Sequence, residues 1–433
     1  SGGLVGSEMC IRDSVNAIQV FDSRGIPTIA CEISLDNGIC ASAMVPSGAS
    51  TGSKEALELR DSDSNYHGKG VLNAISNINN KLGPLLIGKE SEDQIDIDRI
   101  LIDYDGTDDK SSMGANAILA ISLASSHVAA KNKKVNLYEH FSSIYKDITG
   151  KANKYSIPMP MFNILNGGEH ADNNVDIQEF MIVPSGAKDF TQIMKWSTEI
   201  YHNLKEILIS KNYSTAVGDE GGFAPNLNSN EEAIELIIES IKASKLNPGE
   251  DVNIALDCAA SEFFDGNNYF LKGENKKYTY AEFTNYLDNL ITQYPISSIE
   301  DAMDENDVEG WKLVTDKLGE KCQLVGDDLF VTNKKVFLEG INHKLANSIL
   351  IKFNQVGTIT ETIGTIDCAR ENGYKCIISH RSGETEDTTI SDLAVGLGAS
   401  QIKTGAPCRS DRIAKYNRLL WIENKSNDIL LNE

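Results

Sequence analysis

The chain has 433 residues, of which 63 are acidic and 40 are basic, so its formal net charge is −23. This length accommodates two or three domains at about 150 residues each, and we expect two. Such an acidic surface repels nucleic acid and anionic lipid, which excludes those partners and requires a local positive pocket for any anionic substrate.

The cysteine pattern indicates reduced thiols. The eight cysteines are scattered and include no CxxC pair, and several lie inside apolar runs. Thiols in this pattern behave as small hydrophobic groups and are typical of a reducing compartment. We therefore predict a cytoplasmic protein without disulfides.

The segment 111–130 lacks Asp, Glu, Lys and Arg and is long enough to span a membrane. Its five serines, together with Asn116 and His127, would all need hydrogen-bond partners in lipid. We therefore predict no membrane span, and instead a small-residue-rich helix packed inside a domain.

In chain order, residues 1–14 are excluded from the fold as an appended or mistranslated segment, because they lack the long apolar core of a signal peptide. From Val15 the runs VNAIQVFD, PTIACEISL and ICASAMV predict a β-meander, with Asn37-Gly38 as a hairpin turn. Helical patterns continue to about His140, and a polar connector follows through Lys154. Residues 15–145 are thus predicted to form an α+β domain.

The second part of the chain, residues 146–433, has the pattern of a β/α barrel. Two strand-like runs, PMPMFNILN and QEFMIVP, precede a long helix over about 188–210, and strands then alternate with helices from Val252 onward. The last helix is expected over about 410–423, with Ile413, Tyr416, Leu419 and Leu420 on its packing face. The predicted fold is an irregular α/β barrel that begins with two β-runs.

Apolar runs in this second domain repeatedly stop on an ionisable residue. A single charged strand end is often only the end of a strand, but the recurrence at similar intervals favours one shared rim, where β/α barrels carry catalytic groups. Carboxylates beside amines suggest a hard cation next to a lysine base, as in metal-assisted removal of a carbon-bound proton. The six residues are Asp257, Glu300, Asp327, Lys352, His380 and Lys403.

Four polar segments add candidates. PSGAST is a small-residue loop that by itself favours an ordinary turn. NGGEHADNNVDIQEF surrounds a strand, GDEGGFAP places Glu220 between glycines as in a mobile lid, and SHRSGETED suits phosphate binding. The candidate residues in these segments are Ser50, His170, Gln178, Glu179, Glu220, Arg381 and Ser382.

These segments, together with VFDSRGIPT, ALDCAASEF, LVGDDLFVTN, ILIKFNQVGT and QIKTGAPCRSDRIAKYN, closely resemble the enolase family over 15–423. The resemblance implies a glycolytic and gluconeogenic lyase that reversibly dehydrates 2-phospho-D-glycerate to phosphoenolpyruvate through an enediolate. It also implies a homodimer and leaves open a higher assembly such as an octamer.

The resemblance implies roles for the individual residues. Asp257, Glu300 and Asp327 would hold a first Mg²⁺, and Ser50 would bind a second that arrives with substrate. Lys352 would be the base, with its pKa lowered by nearby positive charge, and Lys403 would stabilise the enediolate. The acid would be Glu220, assisted by Glu179 with His170 nearby. Arg381 and Ser382 would hold the phosphate. Gln178 and His380 would be supporting contacts.

Two departures from the family pattern are Ile26 before Pro27 and Trp421 after the paired leucines. They put in doubt details of the N-terminal turn and of helix or subunit packing.

Two other interpretations of the function remain. An acid-sugar dehydratase of the same superfamily would share the metal carboxylates but not the GDEGGFAP and SHRSGETED segments. A binding protein on a silent scaffold is disfavoured because every presumed catalytic residue is present, and because clustered like charges reduce stability and would serve no purpose in such a scaffold.

Overall fold

The computed structural model describes residues 12–48, 52–426 and 429–432. Its first part is a three-stranded antiparallel sheet in the order β1-β2-β3, followed by helices. The strands are β1 (Arg12–Phe21), β2 (Pro27–Leu35) and β3 (Cys40–Met44), and the helices are α1 (Leu72–Asn77), α2 (Gly83–Leu86), α3 (Gln94–Asp105), α4 (Ala115–Lys133) and α5 (Leu137–Thr149). Shorter 3-10 and π-helical turns cover Asn65–Gly68 and Ile78–Leu82.

The predicted meander is confirmed. The turn between β2 and β3 closes through Leu35 N donating to Ile39 O at 2.8 Å, and Gly38 adopts a φ of 83°, which a side chain disfavours. Arg12 to Ser14, which were excluded from the fold on sequence, are the first residues of β1 because they pair with β2.

The small-residue segment forms most of α4, whose residues are almost all buried. It packs against β2 and β3 and contacts α3 and α5. Within the described part of the chain, no helix combines the length and the apolar character needed to cross a membrane.

The second part is a closed barrel of eight of the described strands, in the order β10-β11-β12-β13-β4-β5-β6-β9. The bounds of its elements, with the side hairpin β7-β8, are β4 (Met159–Asn166), β5 (Glu179–Val183), α6 (Phe190–Ser210), α7 (Asn230–Ala243), β6 (Asn253–Asp257), β7 (Tyr269–Leu271), β8 (Lys276–Tyr278), α8 (Tyr280–Gln293), β9 (Ile296–Glu300), α9 (Val308–Leu318), β10 (Gln323–Gly326), α10 (Lys334–Asn342), β11 (Ser348–Ile351), α11 (Phe353–Val356), α12 (Ile359–Glu371), β12 (Lys375–Ser379), α13 (Thr389–Gly396), β13 (Gln401–Lys403) and α14 (Ser410–Lys425). Two 3-10 turns cover Gly168–His170 and Ala260–Phe263.

The irregular start of the barrel is also confirmed. β5 runs antiparallel to both β4 and β6, whereas the other barrel pairs are parallel. Between β4 and β5 the chain makes only a loop and a 3-10 turn, and a parallel pair would require a longer crossover. The carboxyl end of β4 and the amino end of β5 therefore lie at the same mouth as the carboxyl ends of the parallel strands.

Below that mouth the barrel is filled by apolar side chains. The inner cluster consists of Met161, Met181, Val183, Ala255, Val325, Leu350 and Ile377, all buried. Below the mouth the barrel is thus a packed core.

The helix that ends the barrel packs as predicted. Tyr416 and Leu419 of α14 are buried in the core, and Ile413 and Leu420 pack against it. The predicted domain boundary at residue 145 lies inside α5, which ends at Thr149. We therefore propose the boundary after Thr149, in the extended connector before β4.

Candidate active site

Strand register brings three acidic residues together at the barrel mouth. Glu179 of β5 pairs with Asp257 of β6, and Asp257 pairs with Glu300 of β9. Next around the rim, β9 pairs with β10, and Asp327 follows the end of β10. All four residues are buried, so each carboxyl group needs a cation, a hydrogen-bond donor or a proton.

Lys403 supplies positive charge to three of these groups. Its Nζ lies 2.9 Å from Glu300 Oε2, 3.0 Å from Asp257 Oδ2 and 3.2 Å from Glu179 Oε1. Burial by itself lowers the pKa of Lys403, but Asp257, Glu179 and Glu300 together raise that pKa well above its ordinary value. Lys403 is therefore a permanent cation in this arrangement.

Lys352 is paired differently. Its Nζ donates to Asp327 Oδ2, and Gln355 Nε2 donates to Asp327 Oδ1 at 2.9 Å. Burial lowers the pKa of Lys352, and Arg381 and Lys403 also lower it, but Asp327 outweighs them and the net shift is upward. Direct contact with the Asp327 carboxylate thus raises this pKa, whereas the predicted lowering refers to a site that holds bound cations and stays a prediction.

A second group of side chains surrounds Glu220. Single ligand atoms of His170, Glu179 and Glu220 all lie within 4.8 Å of one another. Glu220 Oε2 accepts from Asn163 Nδ2 at 3.0 Å and lies 3.2 Å from His380 Nε2. Glu220 thus contacts Asn163 of β4 and His380, which follows β12. Lys352 instead contacts Asp327, which follows β10.

The two carboxyl groups of this group behave as a pair. Burial raises the pKa of Glu179, and the negative charge of Glu220 raises it further, to well above its ordinary value. Burial also raises the pKa of Glu220, but contact with His380 and His170 outweighs this and holds that pKa well below its ordinary value. Two carboxyl groups at such close range share one proton.

The glycines around Glu220 serve close packing. Gly218 N donates to Gly222 O at 2.8 Å, and Gly221 has a φ of 90°. A Cβ at Gly222 would collide with the side-chain oxygen of Asn166. These glycines therefore allow the loop to approach β4, and the mobility expected from the sequence stays a prediction.

Arg381 and Ser382 line the same cavity. Arg381 makes a two-pronged contact with Glu55, with Nη1 2.9 Å from Oε2 and Nη2 3.3 Å from Oε1. Ser382 Oγ lies 3.5 Å from His170 Nε2. A buried guanidinium beside a hydroxyl can hold an anionic group such as a phosphate.

The structure brings nearly all predicted site residues to one cavity. Glu300 lies behind Lys403 and contacts it, and Ser50 lies outside the described residues. The predicted residues that line the cavity are His170, Gln178, Glu179, Glu220, Asp257, Asp327, Lys352, His380, Arg381, Ser382 and Lys403.

Several contributors were missed on sequence. Asp301 accepts from Asp327 N at 2.9 Å, and oxygens of Asp301, Asp327 and Asp328 lie within 4.8 Å of one another. The doublets Glu300-Asp301 and Asp327-Asp328 were a visible signal for these acids. Glu55 had no comparable signal, because its contact with Arg381 joins distant parts of the chain.

The donor set fits a hard divalent cation such as Mg²⁺, which prefers carboxylate oxygens. Glu300 Oε1 and Glu179 Oε2 are buried and, among the described residues, accept no hydrogen bond. Asp257 shares Lys403 with Glu300, while Asp327 is turned toward Lys352. Among the described residues, Asp257, Glu300 and Asp327 are not one of the groups whose ligand atoms lie within 4.8 Å of one another, so they could hold an ion only after their carboxylates turn away from Lys352 and Lys403.

A larger cleft lies at the opposite end of the barrel, lined by the first residues of several strands. Gln323 Nε2 there donates to Ser348 Oγ at 3.1 Å and to Gln401 Oε1 at 2.7 Å. These polar groups form hydrogen bonds with one another and so stabilise this end of the barrel. Catalytic groups in such barrels lie at the other end, where the parallel strands finish.

Two family models match the chain. One is described as the enolase C-terminal TIM barrel domain and matches residues 154–430. The other is described as the enolase N-terminal domain and matches residues 12–141.

Proposed function

Because these two domains together account for most of its length, the chain belongs to the enolase family of lyases, and we propose that it reversibly dehydrates 2-phospho-D-glycerate to phosphoenolpyruvate. The observation that carries the proposal is the presence of Lys352, Lys403 and Glu220 around one cavity with the carboxylates of Asp257 and Asp327. Such a cavity can hold an anionic substrate while one group removes a proton and another delivers one.

The first step is removal of the proton next to the substrate carboxylate, which creates a dianionic enediolate. We assign Lys352 as the base. Its neutral form is favoured by Lys403 and Arg381 and opposed by Asp327, so base function requires Asp327 to be engaged elsewhere when substrate is bound. Lys403, which stays charged, stabilises the carboxylate as it takes on enediolate character.

Asp257, Glu300 and Asp327 would hold a Mg²⁺, and Ser50 would contribute to a second site. A bound Mg²⁺ supplies concentrated positive charge that stabilises the developing enediolate. The unpartnered oxygen of Glu300 supports this assignment, because a buried carboxylate oxygen without a donor is costly unless a cation or proton satisfies it.

The second step is loss of the hydroxyl group from the neighbouring carbon. We assign Glu220 as the acid that protonates it, with His170 beside it and Glu179 as the other member of a one-proton pair. Because the pKa of Glu179 is the raised one, the shared proton rests on Glu179 and must pass to Glu220 before this step. Arg381 and Ser382 hold the phosphate, and Gln178 and His380 are supporting contacts at the cavity wall. The hydroxyl leaves as water, and the enediolate becomes the enol phosphate.

A single assay tests the proposal. Addition of 2-phospho-D-glycerate and Mg²⁺ to the full chain is expected to give a rise in ultraviolet absorbance from the enol product, and chelation of Mg²⁺ is expected to stop it. Turnover of an acid sugar instead would favour a superfamily dehydratase. Absence of turnover with either substrate would favour a silent scaffold with a binding role.

The family also supports a glycolytic and gluconeogenic role in the cytoplasm and assembly as a homodimer, with an octamer left open. Light scattering on the purified chain would measure the assembly. A monomer would contradict this part of the proposal without affecting the assignment of the reaction.

A further inference from the structure

One arginine outside the predicted site joins the two loops that carry its chemistry. Arg412 of α14 is completely buried. Its Nη1 donates to Arg381 O at 2.6 Å, and its Nη2 donates to Ser382 O at 2.6 Å and to Asp219 O at 3.2 Å. The loop that carries Glu220 is thereby tied to the loop that carries the proposed phosphate-binding residues.

The same guanidinium contacts His380. Arg412 Nη1 lies 2.6 Å from His380 Nδ1. Arginine has only donors and stays charged, so Nδ1 must be the acceptor. In a neutral imidazole the proton is then on Nε2, which lies 3.2 Å from Glu220 Oε2.

The surroundings of His380, with the exception of Glu220, disfavour its protonation to an imidazolium. Burial lowers the pKa of His380 to about 3, Arg412 and Lys403 lower it as well, and only Glu220 raises it. A second proton on Nδ1 would also face the guanidinium directly. His380 is thus a neutral donor of fixed orientation.

Glu220 Oε2 also accepts a hydrogen bond from the strand side. Asn163, a completely buried residue of β4, donates from Nδ2 to this oxygen at 3.0 Å. An oxygen that already accepts a hydrogen bond from Asn163 and has the protonated Nε2 of His380 3.2 Å away is a poor place for a further proton. The other oxygen, Oε1, lies 3.8 Å from His170 Nδ1, on the side of the group that includes Glu179.

We propose that Arg412 is a positioning residue for the acid: it keeps the ring proton of His380 on Nε2, close to Oε2 of Glu220. Together with the hydrogen bond from Asn163, this leaves Oε1 as the oxygen of Glu220 that takes up the proton shared with Glu179 and transfers it. This inference rests on the proposed function of Glu220. In the step itself, the Oε1–H bond breaks and the proton goes to the leaving hydroxyl oxygen. The carbon–oxygen bond breaks with its electron pair on oxygen, water departs, the enediolate electrons form the new carbon–carbon double bond, and Glu220 is left as a carboxylate.

The tautomer is tested without substrate. The ring nitrogens of the full chain are labelled with ¹⁵N on histidine, and His380 is assigned by comparison with His380→Gln. We expect a proton on Nε2, none on Nδ1, and no titration between about pH 5 and 8. A proton on Nδ1, or titration in that range, would overturn the inference whether or not the chain dehydrates 2-phospho-D-glycerate.

The effect on the acid is tested with Arg412→Met and Asn163→Leu, which remove the donors at similar side-chain size. We expect kcat for dehydration to fall about 10²-fold, at the lower end of what a positioned acid contributes, while KM and proton exchange at the substrate carbon stay within about threefold. Loss of exchange in parallel with dehydration would show a merely structural role. If Arg412→Met does not fold, Asn163→Leu and the tautomer measurement decide.

A matched control and a double variant complete the test. Arg418→Met removes another arginine from α14, one that pairs with Asp392, and should leave dehydration unchanged. In a His380→Gln background the amide presents a donor without help from Arg412, so Arg412→Met should cost much less there than in the native chain. Fully additive losses would overturn the proposed link between Arg412 and His380.

Discussion

Nζ of Lys403 lies 2.9 Å from Oε2 of Glu300, although their strands β13 and β9 are not neighbours in the barrel. The lysine reaches across the mouth and neutralises acidic groups that strand register has placed side by side. The ammonium group of Lys403 should therefore stabilise the folded chain. In the proposed reaction it also stabilises the developing enediolate.

The stability effect can be measured with Lys403→Met. Removal of the ammonium leaves buried carboxylates without their partner, and the loss of one member of a buried ion pair costs about 3–5 kcal/mol. We expect the free energy of unfolding in urea to fall by about that amount. Lys188→Met, at a side chain that is 77% exposed, is the control and should change it by less than about 0.5 kcal/mol. A loss no larger than that of the control would show that the charges at the mouth are already compensated by other groups.

Binding of Mg²⁺ should stabilise the chain in the absence of substrate. A ligand that binds only the folded state at 100 times its Kd adds about 2.7 kcal/mol to the free energy of unfolding. We expect Asp257→Asn and Glu300→Gln to lose most of this gain, because each removes a charged ligand.

The measurement is unfolding with and without Mg²⁺, and Glu309→Gln, at a side chain that is 73% exposed, is the matched control. An equal gain from Mg²⁺ in all of these variants would place the ion elsewhere.

The base and the acid should be separable. Lys352→Ala should abolish exchange of the substrate's carbon-bound proton with solvent and, with it, dehydration, each by about 10²–10⁴-fold. Glu220→Gln should stop dehydration to a similar extent but spare some exchange, because the proton is removed before the acid acts. Exchange is followed by NMR in deuterated water and dehydration by absorbance. Equal loss of both in Glu220→Gln, with folding and Mg²⁺ binding intact, would contradict the separate roles.

Asp98 should make stability depend on pH. It is completely buried between the two domains, where Thr360 N and Oγ1 donate to its Oδ2 at 2.9 and 2.6 Å. Burial raises the pKa of Asp98 to about 6, so between about pH 4 and 6 the folded chain binds a proton that the unfolded chain has lost. This contribution to stability is therefore present at low pH and decreases as the pH rises through 6.

The test compares urea unfolding of the native chain and Asp98→Asn across that range. Because the amide cannot titrate, the difference between the two should change by on the order of 3 kcal/mol between about pH 4 and 7, the equivalent of about two pKa units. A constant difference would mean that Asp98 does not change its protonation on unfolding.

The amino-acid sequence by itself determined the parts of this protein that depend on local pattern. The meander with its Gly38 turn, the two β-runs that begin the barrel, and the placement of Asp257, Glu300 and Lys403 at strand ends all follow from residue periodicity and turn chemistry, which act over a few neighbouring residues. The buried α4 was also predictable, because its serines exclude a lipid environment.

Only the tertiary structure decided which charges meet. The pairing of Lys352 with Asp327, the two-pronged contact of Arg381 with Glu55 and the contact of Arg412 with His380 each join residues from different elements. Closure of the barrel sets the strand register, and register determines which donors compete for each buried carboxylate. Proton positions follow from that competition, so they cannot be derived from any single stretch of chain.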